Sequence, residues 1–211
     1  MWWVLPVGWS VAALVARFSP AEYEFDRSVT RWRKLLDAKR GDVPLGFLYA
    51  WIQKESGGDP TATTTRTALK HGKPAPKSDE RGLFQIHAEE AKMLKLSASQ
   101  WESLRQNKGA EQISIGLRYI AANAAKVNDM LAGTAWPALD KWKLVKLIHV
   151  SPGLAKYSFE DFVDTHGRTP GGWTEFAQFT ITRKPEKKYR AAAKKWIEGA
   201  AWVGGAASQV L

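Results

Sequence analysis

A chain of 211 residues, 45% hydrophobic and 25% charged, is long enough to bury a core in one main domain and too apolar for wholesale disorder. The absence of cysteine excludes disulfides, thiolate metal sites and a cysteine nucleophile, and leaves the redox compartment open. Lys and Arg total 31 against 21 Asp and Glu, a net +10 that points to an anionic partner: nucleic acid, a membrane surface or an acidic polymer.

Residues 2 to 16 carry no charge, and Arg17 ends the run. As a helix they would span about 22 Å at ~1.5 Å per residue, short of a ~30 Å hydrocarbon core. Pro6 and Gly8 weaken that helix further. A secretory signal normally opens on Lys or Arg, whereas here the first basic residue follows the apolar stretch. Residues 1–18 are therefore set apart as a membrane- or partner-associated segment, with a packed segment and a cleaved signal as the other readings. Trp2, Trp3 and Trp9 would suit a membrane interface.

Ser19-Pro20-Ala21-Glu22 predicts a helix start, with Ser19 as cap and Glu22 closing a capping box. Phe25, Val29, Trp32 and Leu36 then form one apolar stripe up to Gly41. A second helix is predicted from Pro44 to Ser56, halted by Gly57-Gly58-Asp59-Pro60. Residues 59–80 are polar and read as a long loop with room for a short hairpin. Ser97 with Gln100 marks another helix start. Ile113, Leu117, Ile120, Ala124, Val127 and Leu131 define a long helix over 110–131, and 139–150 and 186–202 are further helices. Residues 151–182 hold Gly, Pro and aromatics in no assignable order. The class is mainly α.

The four histidines, His71, His87, His149 and His166, are dispersed with no metal-binding pair on one helix turn, so no metal site is expected. Phosphate-loop, dinucleotide-binding and nucleophile-elbow motifs are absent, and no cofactor is expected. One carboxylate stands out. Leu45, Leu48, Ile52 and Glu55 share a helical face, so Glu55 loses water when that face packs. Desolvation and the helix C-terminus both disfavour the anion, a setting in which a Glu can carry a proton to a leaving group. Pairing with a buried Arg or Lys, or a turn outward to solvent, would be the structural alternatives. Gly57-Gly58 would leave room beside it for a polymer chain. Trp51 fits a core position or a sugar platform.

Glu55-Ser56 at a helix end, followed by Gly82-Leu83-Phe84-Gln85-Ile86, resembles the soluble lytic transglycosylase (SLT) family and its goose-type lysozyme relatives. Their pattern is a helix ending in Glu-Ser and then Gly-Leu-Met-Gln-Ile/Leu; Phe84 stands in the Met place. Residues 112–123, with Gly116 and Tyr119, are similar to the family's later helix. The resemblance covers residues 43–155. Two departures accompany it. The loop between Glu55 and Gly82 is longer than in compact members, and the family's Ala-Tyr-Asn-Ala-Gly segment is missing. Its nearest counterpart, residues 148–153, puts His149 where a Tyr would contact the catalytic carboxyl group.

The resemblance implies a lysozyme-like helical domain over 19–182, with a long polar loop over the active-site cleft and a basic helix, 183–211, packed on it. It implies cleavage of peptidoglycan between N-acetylmuramic acid and N-acetylglucosamine, with Glu55 as general acid and then base, closing a 1,6-anhydro ring. Ser56, Gly82, Gln85, Tyr119 and His149 would be the substrate-binding residues. A muramidase or chitinase-like hydrolase of the same fold would need a second carboxylate to activate water, for which Asp79 and Glu80 are the candidates. A non-enzymatic module binding nucleic acid or membrane is the third alternative, with nucleic acid disfavoured by the lack of a recognition motif. Arg183, Lys184, Lys187, Lys188, Arg190, Lys194 and Lys195 suit a docking face for wall or membrane, or a solvated helix surface. The site of action is expected at the cell wall, with delivery by a phage virion, a secretion complex or membrane association through residues 1–18.

Overall fold

Pro44 ends an extended approach, and the next eight residues, Leu45 to Ile52, are all buried, so the segment folds as a helix wrapped on nearly every side. That helix organises a computed structural model that describes residues 23–66, 69–70, 73–74, 78–183 and 187–209. The apolar segment 1–18 and the helix start at Ser19–Glu22 lie outside the described residues. The chain falls into two compact units, residues 24–122 and residues 123–209 with Tyr23.

The first unit holds α1 (Arg27–Thr30), α2 (Arg33–Asp37), α3 (Leu45–Ser56), α4 (Ala88–Met93) and α5 (Ala98–Ser103). It also holds the start of α6 (Gly109–Met130), within which the boundary between the units falls. The stripe from Phe25 to Leu36 predicts one helix, but the chain makes two short ones with a break at Arg31–Trp32. The break has a tertiary cause. Arg31 Nη2 and Trp32 Nε1 both donate to Gly58 O, at 2.9 and 3.1 Å, and the Trp32 ring lies where a side chain at Gly109 would be. Of the stripe, Val29 and Leu36 are fully buried.

The polar stretch after α3 is more regular than its composition suggests. β1 (Thr63–Arg66) pairs antiparallel with β4 (Ser78–Arg81), in the register Thr63–Arg81 to Arg66–Ser78. β4 also pairs with β5 (Ile86–His87), giving the order β1-β4-β5. Inside this hairpin, β2 (Leu69–Lys70) pairs with β3 (Lys73–Pro74). Ser97 and Gln100 form the predicted capping box of α5, with bonds of 3.2 and 3.0 Å between side chain and backbone.

The second unit is helical: the rest of α6, then α7 (Asp140–Val150), α8 (Pro152–His166), α9 (Trp173–Arg183) and α10 (Lys187–Gly205). The unassigned stretch 151–182 thus forms two helices. Pro152 opens α8 at its first position, and Leu154, Ala155, Ser158, Phe159 and Phe162 make its buried stripe. Phe159, Phe176 and Trp136 cluster with ring centres 6.1 to 6.3 Å apart. α10 packs along α7; a Cβ at Gly204 would sit 2.3 Å from Lys143 N, so only glycine permits that approach. The fold is mainly helical, as the sequence indicates.

Candidate active site

Glu55 sits in the last turn of α3 and is half-buried. The helix ends because Gly57 turns left-handed, with φ 60°, and its N–H closes on Gln53 O at 3.2 Å. Gly58 follows with φ 85°, and a Cβ there would lie 2.4 Å from Ser28 O. Sequence reasoning assigns both glycines to a polymer's path. Gly58 is instead required by the backbone of α1, whereas no atom of the described residues lies within 4 Å of where a side chain on Gly57 would start.

Ser56 joins the end of α3 to the segment 82–86. Its Oγ lies 3.0 Å from Leu83 O and 3.1 Å from Ile52 O, one proton serving two acceptors, and it accepts from Gly58 N at 3.3 Å. The two stretches that lie 27 residues apart in sequence are thereby one piece of structure.

The segment 82–86 is built as a tight turn. Gly82 has φ 72° and donates to Ala62 O at 2.8 Å. Any side chain on it would strike Gln112 Oε1 at 2.6 Å. Gln85 has φ 50°, uncommon for a residue with a Cβ. Its side chain is buried and stabilises that backbone, Nε2 donating to Ala62 O at 3.0 Å and to Gly82 O at 2.9 Å. Gln85 Oε1 has no hydrogen-bond partner among the described residues. Phe84 lays its ring on α6 at Gly116, where a Cβ would come within 2.2 Å of the ring.

Gln112, which sequence reasoning missed, holds the turn from behind. Its Oε1 accepts from Leu83 N at 3.0 Å, and its Nε2 lies 2.7 to 3.2 Å from the carbonyls of Pro60, Ser103 and Gln106. Its signal was available: Gln112 stands four residues before Gly116 and seven before Tyr119, on the same face of α6.

The other candidates separate by environment. Tyr119 is 3% exposed, its hydroxyl donates to Glu90 and its ring meets Trp51 edge-on at 6.3 Å. Trp51 is fully buried, the core reading of that residue. Asp79 Oδ2 lies 2.5 Å from Arg105 and 3.3 Å from Arg81. The hydrogen bond from Arg81, with the charge of Arg105 beside it, holds the Asp79 carboxyl below the usual range. Arg81 also bonds Glu102 at 3.0 Å and lies over the Trp101 ring at 3.9 Å. Glu80 points to the opposite face of β4, is buried, and pairs with His87 Nε2 at 2.7 Å. His149 is half-buried at the end of α7, in the second unit. Among the described residues no cluster of His, Asp and Glu could hold a metal ion, and no helix is long and apolar enough to cross a membrane.

The family model described as the transglycosylase SLT domain matches residues 36–145, just over half of the chain. That span contains α3 with Glu55, the turn 82–86 and all of α6. No curated protein and no solved structure matches the chain.

Proposed function

The chain belongs to the transglycosylase SLT domain family, and from that premise we propose that Glu55 is the group that cleaves the glycan. The family membership makes the protein a lytic transglycosylase acting on peptidoglycan. Glu55 protonates the oxygen linking N-acetylmuramic acid to N-acetylglucosamine, and the C1–O bond breaks. The resulting carboxylate takes the proton from the muramoyl 6-hydroxyl, whose oxygen closes on C1 as a 1,6-anhydro ring. The substrate's own N-acetyl group assists at C1. One protein carboxylate serves both proton transfers and no water is consumed.

The observation that carries this reading is the bond between Ser56 and Leu83, which ties the end of the Glu55 helix to the turn 82–86 inside the matched span. Hydrolysis would need a second carboxylate as base for water, at roughly 6.5–9.5 Å in an inverting enzyme. The two candidates are already engaged, Asp79 with two arginines and Glu80 with His87, which favours the reaction that needs neither. Gly57, with open space beside it, and the turn 82–86 are the parts of the structure best suited to border the glycan. Ser56, Gln85 and Tyr119 act on this reading mainly by holding those parts in position. Delivery to the wall is assigned to residues 1–18, through a membrane, a virion or a secretion complex.

The test is the mass of the products from purified peptidoglycan. Anhydro-muramoyl ends, one water lighter than the reducing ends of hydrolysis, are expected. Reducing ends alone would replace this mechanism by a hydrolytic one.

A further inference from the structure

Arg31 and Trp32 both reach Gly58, which follows Glu55 by three residues. Three Cα–Cα steps span at most about 11.4 Å, so whatever holds Gly58 stands beside the end of the Glu55 helix. Trp32 is fixed on two sides, by the bond from its Nε1 to Gly58 O at 3.1 Å and by Gly109 against its ring. The Arg31 guanidinium lies over that ring, 4.7 Å from its centre, and Nη2 donates to Gly58 O at 2.9 Å. The second Nη2 proton and a neighbouring N–H are left as an open fork with no acceptor among the described residues. Arg33, Arg40, Arg81, Arg105, Arg168 and Arg183 each pair with an Asp or Glu, whereas Arg31 has no carboxylate partner among the described residues. Nearby Asp59 is occupied by Thr61, whose N and Oγ1 both donate to its Oδ1 at 2.8 Å. Those bonds hold the Asp59 carboxyl below its usual range, and the more distant charge of Arg31 adds to them. Arg31 is exposed. Ordering a long exposed side chain costs rotamer entropy, and a guanidinium already stacked on an indole has less of it to lose when a ligand arrives.

We propose that Arg31 is a specificity-determining residue whose open guanidinium fork pairs with a carboxylate on the muramoyl side chain of the strand bound at Glu55. Muramic acid carries a lactyl group and, in the wall, a peptide bearing carboxylates, whereas a glycan of N-acetylglucosamine alone carries none. Two parallel N–H groups match the two oxygens of a carboxylate, a geometry that a lysine ammonium does not supply. The inference rests on peptidoglycan being cleaved at Glu55. It adds which feature of the strand is read there: the charge of the muramoyl side chain.

The test measures kcat and KM of the full chain on soluble muropeptide oligomers and on the same oligomers with every carboxylate converted to a primary amide. Neither carries phosphate, so a preference between them reports the carboxylates alone. Amidation is expected to lower kcat/KM of the wild-type protein about tenfold, mostly through KM, the equivalent of ~1.4 kcal/mol. Arg31→Gln keeps an N–H donor for Gly58 O and removes the charge. It should fall about tenfold on the native oligomer with kcat held, and match the wild-type protein on the amidated one. Equal kcat/KM of the wild-type protein on both oligomers overturns the proposal without any variant. So does an equal loss by Arg31→Gln on both, which would make Arg31 only a brace for Gly58. A wild-type protein that cuts neither oligomer sinks the cleavage reading by itself. Calorimetry with the Glu55→Gln chain then decides Arg31: a preference of about tenfold for the native oligomer supports the pairing, and equal affinity overturns it.

Discussion

Gly116→Ala gives two opposite answers depending on whether α6 is taken alone or with its neighbour. In an isolated helix the change gains about 0.8–1.0 kcal/mol. In the structure the new Cβ would lie 2.2 to 2.5 Å from three atoms of the Phe84 ring, against at least 3.4 Å for ordinary contact. The ring would have to retreat by roughly 1.2 Å at its nearest atom. Phe84 is 1% exposed, so it has little free space to enter. Overpacking of this kind costs about 1–3 kcal/mol, and a clash this deep belongs at the upper end. The expected net loss is about 1–2 kcal/mol, or a melting temperature lower by about 2–8 °C for a chain of this length. Gly199→Ala is the control. It lies inside α10 with no atom of the described residues within 4 Å of its Cβ position, and should stabilise by about 0.5–1 kcal/mol. Thermal unfolding followed by circular dichroism reads both. Adding Phe84→Leu to Gly116→Ala should recover part of the loss, a coupling that helix propensity does not predict. A Gly116→Ala protein as stable as the parent would refute the packing of the turn 82–86 on α6.

Gln112→Leu keeps the volume but strips the Leu83 N–H and the carbonyls of Pro60, Ser103 and Gln106 of their buried partner. A loss of about 3 kcal/mol or more in urea unfolding is expected, and a loss under about 1 kcal/mol would remove Gln112 from its bracing role. Glu175 is held at a pKa of about 2 by hydrogen bonds from Arg168 and from Gly171 N. A depressed carboxyl adds stability above its unfolded value, lost as pH falls from about 4.5 toward about 2. Glu175→Gln should therefore lose stability at pH 6 and little at pH 2, by under about 1 kcal/mol because the pair is largely solvated. Equal effects at both pH values would contradict the assignment.

The sequence carries α3, α6 and α7 plainly because each buries a continuous stripe over three or more turns. Glu55 and the turn 82–86 are equally legible, the first as a carboxylate on an apolar face, the second through its likeness to a known pattern. What escapes the sequence is long-range. α1 and α2 are parted by bonds to Gly58, which no local pattern encodes. The strands around residues 63–81 carry polar residues and draw their order from a ladder rather than from burial of an alternating face. α8 and α9 are hidden by Gly and Pro that mark their ends rather than their interiors. In the site, Gln112 is missed because a glutamine in a helix looks like surface until its four backbone partners are seen. Glycine tells the same lesson twice: Gly58 and Gly116 are set by the backbone and ring pressed against them.

One carboxyl group, Glu55, is proposed to move both protons. Glu55→Gln keeps the size and the hydrogen bonding capacity of the side chain and removes its ability to exchange a proton. The variant should melt with the wild-type protein and clear purified peptidoglycan at least about a thousandfold more slowly, given the ~10²–10⁴-fold contribution of a positioned acid or base. A folded Glu55→Gln protein that clears the wall at the wild-type rate would contradict the account.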